Sequence, residues 1–203
     1  ETAFSELAGK FSAWPEVPEA LQQLARAYSA QGKDKEARET YLRIIAEAPH
    51  SYPRLAAERQ LLALDLKTGD LPAAEQRLDA LLQAFPWLEA APFALLELGE
   101  AWLAKDQPAK ALQRLEQVRT SYPGTEPAFT ARRLIVDALG QLKQPDEALK
   151  LLTAVETQTP EMFVVADVCH LRADVLDGAG RWQEAVAALD PVATRYPGSA
   201  LAV

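Results

Sequence analysis

The sequence holds one cysteine, one methionine and two histidines in 203 residues. A lone Cys169 cannot close an intramolecular disulfide, so no covalent staple shapes the fold and the redox compartment stays open. Two histidines without CxxC or HExxH spacing fall short of the three or four ligands a zinc site takes. The pair His170 and Asp174, beside Cys169, is too few for a metal, and Cys169 occupies an apolar slot shared with Leu21 and Leu95, which reads as a buried structural thiol. Neither a glycine-rich phosphate loop nor a Gly-x-Ser-x-Gly elbow occurs, which removes two common signs of catalysis. No run of about 18 apolar residues exists to span a membrane. Basic residues are also short: 21 Lys and Arg face 29 Asp and Glu, a net charge of −8. A phosphate-backbone binder needs a dense basic stripe, so nucleic acid is disfavoured as a partner. No cofactor or metal is expected. The chain begins at Glu1 without the basic and apolar regions of a signal peptide, as expected of a mature product or a piece of a longer protein.

What the sequence does have is a period of 37 residues. Ala37 returns as Ala74, Ala111, Ala148 and Ala185, and Pro49 as Pro86, Pro123, Pro160 and Pro197. After each alanine, apolar residues follow at spacings of four and three: Tyr41 and Ile44, Leu78 and Leu81, Leu115 and Val118, Leu152 and Val155, Leu189 and Val192. Such spacing puts them on one face of a helix, read as the inward face. Asp70, Gln107 and Gln144 precede helix starts that carry proline in the first turn, where a missing N–H costs nothing. The prolines at 49, 86, 123, 160 and 197 close each second helix.

First helices are expected at about 18–31, 54–68, 92–105, 127–142 and 162–178, with Gly32 ending the earliest in a left-handed conformation. The units run 16–49, 50–86, 87–123, 124–160 and 161–197 in a single array over 1–203, in which 1–15 read as the second helix of a preceding repeat and 198–203 as the start of another first helix. The fold class is all-α, an α-solenoid of antiparallel helix pairs that bury apolar surface against their neighbours.

Ala25, Gly99 and Ala173 at the small position of the first helix, Tyr28 and Trp102 three residues on, and the alanine, aromatic or leucine, and proline of the second helix resemble the tetratricopeptide repeat. Leu62 and Val136 depart from the small position, and Asp65 sits where an aromatic is expected. The longer period and the Tyr-Pro-Gly turns at 122–124 and 196–198 are similar in style to repeats of bacterial envelope proteins, such as the outer-membrane assembly lipoprotein BamD and the Tol-Pal-associated periplasmic protein.

The resemblance implies a right-handed superhelix whose first helices line a concave groove. The positions it maps there are Gln22, Arg26, Arg59, Ala63, Leu96, Glu100, Arg133, Asp137, His170 and Asp174, with Phe93 nearby. Basic members come early and acidic ones late, a gradient that can orient a bound peptide. The same residues also fit a merely solvated helix face. The lysine and asparagine clamp by which some family members hold a terminal carboxylate is not reproduced at Gln22, Arg26, Arg59 and Ala63. Paired carboxylates such as Asp174 and Asp177 read as solvated, and Trp14 and Trp87 as turn-packing aromatics.

The resemblance thus implies a non-enzymatic scaffold that holds a protein or peptide partner in the groove, associated with the bacterial envelope and without direct membrane insertion. Two alternatives stay open. One is a spacer that self-associates end to end through open solenoid ends. The other is a regulatory repeat domain of a multidomain enzyme or of a secretion or assembly system.

Overall fold

A computed structural model describes residues 17–47, 52–158 and 162–195. Among these residues there are ten α-helices and no strand. In chain order they are α1 (Val17–Ala30), α2 (Asp34–Glu47), α3 (Tyr52–Thr68), α4 (Leu71–Ala84), α5 (Ala91–Ala104), α6 (Pro108–Ser121), α7 (Glu126–Gln141), α8 (Pro145–Gln158), α9 (Met162–Gly178) and α10 (Trp182–Arg195). Residues 1–15 and 198–203, with Trp14 and the closing prolines 49, 160 and 197, lie outside the described residues. The chain falls into two compact units, 1–89 and 90–203. The first contains α1–α4 and the second α5–α10.

Odd-numbered helices are the first members of the pairs and even-numbered helices the second. Each is short, about four turns, and joined to its partner by a turn of two or three residues, a length that forces neighbours to run antiparallel. The turn has one chemistry throughout. Gly32, Gly69, Asp106, Lys143 and Gly180, each 37 residues from the last, all have positive φ, between 55° and 74°. The next N–H then reaches back to a carbonyl five residues earlier: Lys33 to Tyr28, Asp70 to Asp65, Gln107 to Trp102, Gln144 to Leu139 and Arg181 to Leu176, at 2.8–3.0 Å. This pattern satisfies carbonyls that the helix end leaves without partners. Only three of the five positions are glycine, so Asp106 and Lys143 carry a side chain in a conformation that favours its absence.

The expected inward face is the buried face. Ala37, Ala74, Ala111 and Ala148 are inaccessible, as are Tyr41, Leu78 and Leu115. Small alanine lets the second helix approach the first closely, and the residue four positions on fills the space one turn away. In the first unit α1, α2 and α3 close over Leu21, Ala25, Tyr41, Ile44, Ala57 and Leu61. In the second unit α6 approaches α5 closely at Gly99. A Cβ placed on Gly99 would lie 2.7 Å from a methyl carbon of the fully buried Leu115.

Leu189 departs from its series. It is 37% exposed, while its counterparts Leu78, Leu115 and Leu152 are buried. Proline starts behave as expected, with Pro72, Pro108 and Pro145 in the first turn of α4, α6 and α8, and the Asp70 carboxylate accepts the Ala73 N–H at 3.3 Å. Helix α3 begins at Tyr52, so Pro53 belongs to its first turn and not to the preceding connection.

Candidate functional site

First helices stack directly on one another within each unit: α1 against α3, and α5 against α7 against α9. Residues at the mapped positions therefore form a continuous surface in each unit. In the first unit Arg26, Arg59 and Ala63 are exposed, but Gln22 is buried, 8% exposed. The expectation that Gln22 offers its side chain to a partner does not hold, because folding leaves it only 8% exposed.

In the second unit Phe93 is 54% exposed, Leu96 is half-buried, and Glu100, Arg133, Asp137, His170 and Asp174 are exposed. Arg59 and Arg133 form no salt bridge among the described residues. Asp137 sits between opposing influences. Although the residue as a whole is exposed, partial desolvation raises its carboxyl above the usual range, Arg133 one turn away pulls it down, and Asp174 on the neighbouring helix pushes it up. The structure thus brings Arg133, Asp137 and Asp174 within mutual electrostatic reach, with His170 one turn from Asp174. Among the described residues no three metal-ligating side chains converge, and none of the helices is long and apolar enough to cross a membrane. Trp87, read as a turn-packing residue, stacks edge-on against Phe85 at 5.6 Å yet remains 69% exposed.

Sequence reasoning missed two charged features. The first is the fate of Asp65, which stands in the aromatic slot but is completely buried. Its carboxylate accepts from Arg38 of α2 and, at 2.8 Å, from Nε of Arg77 of α4, while Arg77 also bonds Glu58 at 2.9 Å. Three helices are tied together where Tyr28 and Trp102 would place a ring. The second is a pocket of about 230 Å³ between α7, α8 and α9, lined by Phe129, Arg132, Leu152, Val155, Asp167 and Val168 among others. The signal for it was present: Arg132 falls in the slot of Leu21, Leu95 and Cys169, so a cation replaces a core residue.

The family profile described as tetratricopeptide repeat-like domain matches residues 45–199, and that described as tetratricopeptide repeat matches residues 1–64. The chain belongs to the tetratricopeptide repeat family. Among curated proteins none matches the sequence significantly. Solved structures share the fold at low identity. YrrB, described as a tetratricopeptide protein with an unusual peptide-binding site, is 19% identical with a TM-score of 0.58, over 98% of this chain and 95% of that one. A tetratricopeptide repeat protein from Parabacteroides merdae is 18% identical with a TM-score of 0.57, over 99% of this chain and 74% of that one. A chain of the Naa15/Naa10 complex bound to HypK-THB is 19% identical with a TM-score of 0.65, and the match spans 98% of this chain but 30% of the other. The all-α solenoid of helix pairs is therefore the fold of this tetratricopeptide array. Members of the family are generally non-catalytic scaffolds for protein–protein contacts.

Proposed function

We propose that this tetratricopeptide array is a non-catalytic scaffold that holds a peptide or protein segment against its first helices. The observation that carries the reading is an exposed arginine without a salt bridge on the first-helix surface of each unit, Arg59 on α3 of the first and Arg133 on α7 of the second, where the second unit also exposes Phe93 and half-buries Leu96. Exposed cations beside half-buried apolar groups are the usual anchors of a protein interface. That YrrB has a peptide-binding site supports the same choice of partner. The acidic residues of α9 add a sign that helps to orient what binds. For location, the 37-residue period and its Tyr-Pro-Gly turns support the bacterial envelope.

Affinity capture from envelope and cytosolic extracts tests this, run with the native chain and with Arg59→Glu, Arg133→Glu. A partner retained by the native chain and lost by the variant, at unchanged folding stability, is the expected result; equal retention by both overturns the groove assignment. A partner found in the cytosolic fraction alone overturns the envelope location.

A second reading rests on α10. Trp182 and Val186 are each 69% exposed and Leu189 is 37% exposed, at spacings of four and three along one helix face. An apolar stripe of this kind supports end-to-end self-association. Sedimentation across a hundredfold range of concentration separates the readings: a mass that rises, and that returns to the monomer in Trp182→Arg, favours assembly.

A further inference from the structure

Five residues share one slot of the repeat, 37 apart, on the side of the first helix that turns into the core: Leu21, Glu58, Leu95, Arg132 and Cys169. Leu21, Leu95 and Cys169 are buried, as an apolar slot requires. Glu58 is compensated, because Arg77 bonds it at 2.9 Å and Arg54 approaches to 4.0 Å. Arg132 is not compensated. No carboxylate lies within ion-pair distance of it among the described residues. Its guanidinium lies over the Phe129 ring, 4.7 Å from the centroid, which orients it without neutralising it. Burial and the nearby Arg119 cation both push its pKa below the usual value, so its charge is held at a cost. A half-buried cation without a counter-charge is the least favourable occupant of this slot.

What adjoins that cation is the pocket between α7, α8 and α9, whose walls are mainly apolar. Its volume of about 230 Å³ lies below the range of sites for drug-sized ligands, and suits one large side chain. We propose that this pocket is a subsite for a partner segment in which a bulky apolar side chain, leucine or phenylalanine, adjoins an aspartate or glutamate: the apolar group enters between Leu152, Val155 and Val168, and the carboxylate meets Arg132. Asp167, which also lines the pocket, disfavours a second anion and so limits the site to a single acidic group. The proposal rests on the scaffold reading, and it differs in placing an anchor between helices of the second unit and not on the exposed first-helix surface.

The test needs no knowledge of the partner. Titration of the isotope-labelled full chain with 3-phenylpropanoate, followed by amide chemical-shift mapping, is compared with the neutral 3-phenylpropanamide and the cationic 3-phenylpropylamine. The expected result is saturable shifts at residues 129–132, 151–155 and 167–171 for the carboxylate, with binding about tenfold weaker for the amide and absent for the amine. Arg132→Leu, which restores the residue of the sister repeats and keeps the slot filled, is expected to abolish carboxylate binding while remaining folded. Asp167→Asn is expected to strengthen it severalfold. Arg133→Glu separates this proposal from the groove reading, because it removes the exposed cation and is expected to leave the probe's binding within about twofold. Equal binding of acid and amide, shifts that survive Arg132→Leu, or loss of binding in Arg133→Glu alone would each overturn it.

Discussion

The Asp65 carboxylate, wholly buried on α3, accepts a hydrogen bond from Nε of Arg77 on α4 at 2.8 Å and is paired on its other oxygen with Arg38 on α2. It takes the place that Tyr28 and Trp102 hold in other repeats, and it joins three helices through charge where they use an aromatic ring. Breaking a buried pair by removing one member costs more than the pair contributes, because the remaining charges keep their desolvation penalty. Asp65→Asn is therefore expected to lower stability by about 3 kcal/mol in urea unfolding. Asp65→Tyr, which matches the family pattern, is expected to be no better unless Arg38 and Arg77 are replaced by apolar residues with it. A loss below about 0.5 kcal/mol in Asp65→Asn would show that the network is solvated.

Leu115 of α6 packs closely over Gly99 of α5. Gly99→Ala removes a helix-interior glycine, worth about 1 kcal/mol in propensity, but places a carbon 2.7 Å from a methyl carbon and 2.8 Å from Cγ of the fully buried Leu115. Overpacking of this kind costs about 1–3 kcal/mol, so the substitution is expected to destabilise on balance. In a Leu115→Ala background it is expected to stabilise, and the double-mutant cycle reads the clash directly.

Lys143 occupies the left-handed position of the α7–α8 turn at φ 58°, where three sister turns use glycine. Lys143→Gly is expected to raise stability by about 0.5 kcal/mol, the relief of the left-handed backbone minus the greater chain entropy of glycine when unfolded. Thermal unfolding checks it, and a fall in midpoint would show that the lysine side chain contributes more than its conformation costs.

The Asp137 carboxyl is held above its ordinary value of 3.8 by partial desolvation first, against the pull of Arg133 and with a smaller push from Asp174. A raised folded pKa favours the neutral form, so the stability it gives is complete below the unfolded value and is lost as pH rises through the folded one. Asp137→Asn is expected to equal the native chain in stability well below pH 3.8 and to exceed it at neutral pH. Urea midpoints measured across pH 3 to 7 test this, and parallel curves for the two proteins would contradict it.

Much of the fold was legible because it is local. An alanine every 37 residues, apolar residues four and seven further on, and a turn between them specify where helices start, stop and face. The turn chemistry was only partly legible, because Asp106 and Lys143 adopt the glycine conformation without being glycine. The backbone there follows the closing bonds from Gln107 and Gln144, which residue identity alone does not reveal.

The sequence by itself determined the helix pairs, their register and the buried stripe, since these depend on neighbours within one or two turns of the chain. Tertiary structure decided the fate of the charges. Asp65 looked like a misfit in an aromatic slot until folding brought Arg77, 12 residues away, and Arg38, 27 residues away, against it. Folding likewise buried Gln22, which the repeat pattern placed at an exposed position. Arg132 stands in the slot of Leu21, Leu95 and Cys169, but only the packing of α8 and α9 put an apolar wall beside it. Periodicity reports which side of a helix a residue takes; whether a charge there meets a counter-charge, water or an apolar pocket depends on other helices, and only their packing settles it.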